Sequence, residues 1–196
     1  MLLLSRSGSI FVPRDVEVEV PFEAFLSLSD YALARALCES PRFNASLTSD
    51  GKKLVLKGYV HIGIAVDTEH GLIVLVIWNV DRKGLWKIAL EIMDLAEQAQ
   101  ARKIKPEEMG GASMTITNLG GISGTAFTPT ANPPEVAILG LTCTEIVPVW
   151  DGVAFQPVPM VPMDLSYGHR VINGAEAARF VSHHAALIAG PYGLLI

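Results

Sequence analysis

The chain has 196 residues, half of them hydrophobic and 18% charged, with a net charge of -5. That length suits one domain, and no compositional break divides it, so residues 1–196 read as a single domain. No basic run offsets the acidic balance, which argues against a nucleic-acid partner, and the apolar fraction exceeds what a soluble monomer needs, which points to burial between subunits.

Met1-Leu2-Leu3-Leu4 is followed by Ser5-Arg6-Ser7-Gly8 and has neither the basic start nor the apolar length of a signal peptide, so a cytoplasmic location is expected, or the mitochondrial matrix in a eukaryote. From Phe22 to Glu39 apolar residues recur at helical spacing, and Pro41 stops the pattern; this predicts an amphipathic helix. Leu54 to Val66 alternates and is rich in β-branched residues, Asp67 to Gly71 supplies a turn, and a second apolar run reaches Trp78. The pair predicts a central hairpin. Asn79, Asp81, Arg82 and Lys83 stop the second run well short of a membrane span, so no membrane association is expected.

A helix is predicted from about Leu85 to Arg102, with Ile88, Ile92, Met93, Leu95 and Ala99 on its apolar side. Short strands follow at Ser113 to Thr117, Val136 to Leu141, Ile146 to Trp150 and Met160 to Tyr167. A last helix runs from about Ala175 to Gly190. Central strands with flanking helices predict a mixed α/β (α+β) domain. Cys38 and Cys143 give neither a disulfide framework nor a metal spacing and are expected to be reduced and structural.

Of the five histidines, none has the partners of a zinc motif, so no metal is expected. His61 reads as a core histidine, His70 as a turn residue, and His183-His184 as meeting solvent or the helix end. His169 differs, because it follows a strand in a polar loop with Asn173-Gly174 turning into the last helix. Ser113 to Thr125 is a strand running into a glycine-rich loop. Its glycines allow close backbone approach, and Thr117 or Asn118 is placed to donate a hydrogen bond to an oxyanion. The loop matches neither a dinucleotide fingerprint nor a phosphate-binding loop.

From about Ser40 onward the chain resembles the catalytic domain of the 2-oxo acid dehydrogenase dihydrolipoamide acyltransferases. The stretches that carry the resemblance are Pro41-Arg42-Phe43-Asn44-Ala45-Ser46, His61 to Thr68, Asp81-Arg82-Lys83-Gly84-Leu85, Thr125-Ala126-Phe127-Thr128-Pro129, Pro134 to Gly140 and His169-Arg170-Val171-Ile172-Asn173-Gly174-Ala175. They look most like pyruvate-type members.

The resemblance implies a chloramphenicol acetyltransferase-like fold and a homotrimer with each active site in a channel between neighbours. Coenzyme A would enter from one end and a dihydrolipoyl arm from the other. His169 would take the thiol proton, and Thr117 of the adjacent subunit would stabilise the tetrahedral intermediate. Asn173 would support the loop, with Asn118, Gly120 and Gly121 lining the channel. No lipoyl or peripheral-subunit-binding domain is recognisable, so a lipoyl substrate and 2-oxo acid dehydrogenase components are expected from other chains. The apolar tail Pro191 to Ile196 resembles the anchor that joins trimers into a larger cage.

Several positions depart from the family pattern. Gly168 stands where an aspartate is usual, which predicts a loosened imidazole and a lowered rate. Leu75 and Trp78-Asn79-Val80 replace segments expected in the channel wall, and Arg6 is the nearest substitute for an arginine that braces the loop. Three readings follow: an acyltransferase acting between dihydrolipoamide and coenzyme A, a silent homologue kept as an assembly component, and a related acyltransferase with another acceptor.

Overall fold

The structure, a computed structural model, describes residues 3–11, 22–68, 71–105, 109–122 and 124–190, with side chains from residue 25 onward. Strand β1 (Leu3–Phe11) precedes helix α1 (Phe22–Glu39), the short strands β2 (Ala45–Leu47) and β3 (Leu54–Leu56), and the hairpin β4 (Ile62–Thr68) and β5 (Gly71–Ile77). After them come α2 (Leu85–Gln100), β6 (Met114–Asn118), β7 (Ala137–Leu141), β8 (Glu145–Trp150), β9 (Phe155–Gly168) and α3 (Gly174–Ala189).

Six strands lie in the order β1-β9-β7-β6-β4-β5, and β8 joins the same sheet along β9. The centre is parallel, β4 with β6 and β6 with β7, and the flanking pairs are antiparallel. A mixed sheet with helices is the architecture expected. The sequence run Leu54 to Val66 is not one strand, however: Leu54–Leu56 pairs with β2 in a separate two-stranded sheet, and only the part from Ile62 joins β5. Strand β9 starts at Phe155 rather than Met160, because its first half pairs with β8 as a ribbon despite Pro157 and Pro159.

Alternation along the central strands separates two faces. Ile62, Ile64, Met114, Ile116, Leu139 and Leu165 point into the core with Leu33 and Leu37 of α1, Ile88 of α2 and Phe180 of α3. Each such fully buried aliphatic or aromatic side chain contributes on the order of 1.5–3 kcal/mol. The opposite face carries small and polar residues, among them Gly63, Thr115, Thr117, Gly140, Asp164 and Ser166. Gly63 is needed there, since a Cβ would come within 2.5 Å of the Thr115 hydroxyl. The histidine expected at solvent is not: α3 packs on α1, and His184 is fully buried, 3.3 Å from the Ser29 hydroxyl. Burial lowers its pKa to about 4.

Candidate active site

His169 lies exposed in the turn that leaves β9. The turn is tied down on both sides. The Gly168 N–H donates to the Val136 carbonyl at 2.8 Å, and the Gly168 carbonyl accepts from Val171 at 2.9 Å and from Ile172 at 3.1 Å. Val171 and Ile172 are buried and anchor the loop in the core. The backbone beside His169 is therefore held, in contrast to the loosening expected from a glycine at 168. The Tyr167 ring lies 6.0 Å from the His169 ring, centroid to centroid.

Asn173 ends the turn as the N-cap of α3. Its side chain accepts from the Glu176 N–H at 2.9 Å, and the Glu176 carboxylate accepts from the Asn173 N–H at 3.0 Å, a reciprocal capping box. The Asn173 N–H, with help from Arg42 at 3.0 Å, holds the Glu176 carboxyl below the usual carboxylate range. The asparagine thus fixes where the histidine loop enters the helix.

Thr117 sits at the far end of β6 on the polar face. Although the residue is only 7% exposed, its hydroxyl is neither hydrogen-bonded among the described residues nor fully enclosed, so the oxygen reaches the surface. The loop beyond it is closed by short bonds. The Asn118 side chain accepts from Gly120 N–H at 2.8 Å, and the Cys143 thiol donates to the Gly120 carbonyl at 3.2 Å. Asn118 and Gly120 therefore shape the loop. At Gly121 a Cβ would meet nothing within 4 Å, so its own chain makes no steric demand for glycine there.

Thr117 and His169 of one chain are far apart. Thr117 pairs laterally with Gly140, and Gly140 with Asp164. Strand β9 runs on from Asp164 to its end at Gly168, about 13 Å at ~3.3 Å per residue, and His169 follows in the turn beyond. One chain alone does not assemble the two groups.

Between them lies a polar group that sequence reasoning missed. Glu135 accepts from the Thr115 hydroxyl at 2.9 Å, and burial raises its pKa. The nearby Lys57 ammonium donates to the Ala112 carbonyl at 2.7 Å and is itself lowered by burial. Glu135 lies inside a matching segment, Pro134 to Gly140, whereas nothing in the sequence pointed to Lys57. His61 is the core histidine expected: it accepts from the Asn79 N–H at 2.9 Å, stacks on Tyr59 and meets the Trp78 ring at a tilt. Among the described residues no cluster of three or more His, Cys, Asp or Glu side chains is arranged to hold a metal ion, and no helix is long and apolar enough to cross a membrane. The tail from 191 to 196 and the side chain of Arg6 lie outside the described residues.

The model of a family described as 2-oxoacid dehydrogenases acyltransferase (catalytic domain) matches residues 22–196. The acetyltransferase component of the pyruvate dehydrogenase complex of Pseudomonas aeruginosa is 54% identical over 165 residues, covering 84% of this chain and 30% of that protein. Its counterpart in Azotobacter vinelandii is 53% identical, covering 84% of this chain and 26% of that protein. The chain thus spans under a third of the length of these relatives.

A solved structure of the Azotobacter vinelandii dihydrolipoamide acetyltransferase superposes with a TM-score of 0.90 at 44% identity, covering 100% of this chain and 84% of that one. It concerns the roles of a serine, a histidine and an asparagine in that enzyme's catalytic mechanism. The cubic core of a pyruvate dehydrogenase multienzyme complex gives a TM-score of 0.90 at 44% identity, covering 99% and 84%. Chloramphenicol acetyltransferase, at 14% identity and a TM-score of 0.63 over 95% of this chain and 88% of that one, shares the fold.

Proposed function

The chain belongs to the catalytic-domain family of the 2-oxoacid dehydrogenase acyltransferases, and from that premise we propose that it moves an acyl group, acetyl in the first instance, between dihydrolipoamide and coenzyme A. The observation that carries this reading is one of spacing. Thr117, His169 and Asn173 stand at the same intervals along this chain as the catalytic serine, histidine and asparagine of the Azotobacter vinelandii enzyme do along its own.

In the proposed reaction the His169 imidazole takes the proton of the attacking thiol, and the thiolate adds to the thioester carbonyl. The surface-reaching Thr117 hydroxyl donates to the oxyanion of the tetrahedral intermediate. Collapse breaks the bond to the other sulfur, and the imidazolium returns its proton to that leaving thiolate. Asn173, as the cap of α3, keeps the imidazole in register. Asn118, Gly120 and Gly121 form the loop beside the Thr117 end of the channel. Coenzyme A is a substrate, and the lipoyl group arrives on another chain.

Because Thr117 and His169 lie at opposite ends of one sheet, the working site takes one residue from each of two copies, and a head-to-tail ring such as a trimer supplies that arrangement. Exposed apolar surface supports it. The β8–β9 ribbon presents Ile146, Trp150 and Phe155 to solvent beyond the Thr117 end. Near the histidine turn, where the Arg170 guanidinium would lie 3.4 Å from a Cβ at Gly51, Leu54, Val55 and Leu56 are also exposed. Neither surface suits a monomer.

The test is acyl transfer from acetyl-coenzyme A to dihydrolipoamide. The intact chain transfers, and His169→Ala loses roughly 10²- to 10⁴-fold in rate. Equal rates for the two proteins would overturn the proposal.

A further inference from the structure

The glycine-rich loop after β6 is strapped to the turn between β7 and β8, and acyl transfer as proposed gives that strap no part. Strand β6 ends at Asn118 and β7 at Leu141, one opposite the other, so the residues just beyond them run on side by side. On the near limb of the loop the Leu119 N–H donates to the Leu141 carbonyl at 2.9 Å, and the Cys143 thiol donates to the Gly120 carbonyl at 3.2 Å. On the far limb the Gly124 carbonyl accepts from the Cys143 N–H at 3.4 Å, and the Thr125 carbonyl accepts from the Thr142 hydroxyl at 3.3 Å. Cys143 therefore bonds both limbs.

Gly120 is gripped at both ends, its N–H by the Asn118 side chain at 2.8 Å and its carbonyl by Cys143. Gly124 has φ +103°, a conformation in which a side chain is strained, so the far limb turns through a glycine where it meets Cys143. Thr142 is buried and gives the strap a fixed base, since its own N–H donates to the Pro162 carbonyl of β9 at 3.3 Å. Cys143 is half-buried, and a thiol is a weak donor, so the hold on the near limb is light. Thr117, by contrast, is held without the strap, because it pairs with Ala65 on one side and Gly140 on the other. Loosening the strap moves the loop and leaves the Thr117 hydroxyl in place.

We propose that Thr142 and Cys143 are positioning residues for substrate: they hold the loop of Asn118, Gly120 and Gly121 in the shape that receives one of the two substrates as it passes the Thr117 end of the channel. The inference rests on the acyl-transfer reading. A loop ordered in advance has already met its ordering cost, whereas a loosened loop is receptive only part of the time, and apparent affinity falls by that fraction. Because Thr117 stays in the β6 ladder, the loss falls on KM and spares kcat. The loop lies at one end of the channel, so only the substrate entering there is affected.

The experiment compares the intact chain with Cys143→Ala, Cys143→Ser and Thr142→Val. Hydrogen exchange follows the peptide from Asn118 to Thr125, steady-state acyl transfer gives kcat and the KM of acetyl-coenzyme A and of dihydrolipoamide, and circular dichroism reports folding. Cys143→Ala and Thr142→Val are expected to speed exchange in that peptide and to raise one KM roughly 2- to 10-fold, the range set by one lost hydrogen bond, with the other KM and kcat within about twofold of the intact chain. Cys143→Ser keeps a donor and is expected to bring both readings back toward the intact values. Unchanged exchange in Cys143→Ala, or a loss confined to kcat, would overturn the proposal. So would a serine variant as impaired as the alanine one, since the bulk of the sulfur rather than its hydrogen bond would then hold the loop. An intact chain that transfers nothing would sink the acyl-transfer reading and the substrate role with it, and exchange alone would still decide whether the strap holds the loop.

Discussion

The Gly168 N–H and the Val136 carbonyl are joined by a 2.8 Å hydrogen bond, and a Cβ built on Gly168 would lie 3.7 Å from that same carbonyl. The backbone at 168 is outside the left-handed region that favours glycine. Ordinary space and ordinary geometry mean that nothing in the fold demands glycine here. Gly168→Ala is expected to stabilise the protein by about 0.4–1 kcal/mol, through the unfolded chain's lost freedom. Urea denaturation measures this, and a loss of stability would show that the turn is strained.

The Thr117 hydroxyl separates chemistry from packing. Thr117→Ala is expected to lower kcat by roughly 10²- to 10³-fold while leaving KM nearly unchanged, because the lost hydrogen bond forms chiefly in the transition state. Thr117→Ser keeps the donor and is expected to retain most of the rate. Steady-state kinetics of both variants decide it; a serine variant as impaired as the alanine one would point to the methyl group instead.

Gly63 tests the close packing beneath that strand. A Cβ there would meet the Thr115 hydroxyl at 2.5 Å, Val74 Cγ1 at 3.0 Å and Ala112 Cβ at 3.2 Å. Gly63→Ala is expected to cost about 1–3 kcal/mol and to disturb the Thr115–Glu135 hydrogen bond. Denaturation midpoints would show it.

Two buried groups give stability opposite pH trends. Asp30 on α1 is fully buried, both its oxygens lack hydrogen-bond partners among the described residues, and burial raises its pKa well above the usual value. The folded state therefore favours the protonated form. This contribution is complete below the unfolded pKa of about 3.9 and is lost as pH rises through the folded value. Asp30→Leu should stabilise by about 1–3 kcal/mol at neutral pH, with a smaller gain in acid.

His184 works in the other direction. Its folded pKa, about 4, is below the unfolded value, so its contribution is present at neutral pH and lost as pH falls from about 6.5 toward about 4. His184→Gln should flatten the acid limb of stability against pH. Urea midpoints at neutral and mildly acid pH read both effects.

The parts legible in the sequence were those set by local pattern. Helix α1 occupies the Phe22 to Glu39 predicted, because helical spacing and the Pro41 stop are both local. The start of β9 was missed, since Pro157 and Pro159 read as loop signals yet pair across a ribbon with β8. His184 was misplaced because its burial depends on α1, more than a hundred residues away. At the candidate site, His169, Asn173 and Thr117 were singled out by resemblance to a family rather than by local pattern. The distance between Thr117 and His169 within one chain was not readable, since it depends on sheet register.

The shared site is tested most directly by mixing two dead proteins. His169→Ala and Thr117→Ala subunits are unfolded together, refolded as a mixture and assayed for acyl transfer against each variant refolded alone. If each site joins His169 of one copy to Thr117 of the next, random mixed rings regain roughly a quarter of the intact sites, and activity rises far above either variant. A mixture no more active than the average of its two components would contradict the shared site.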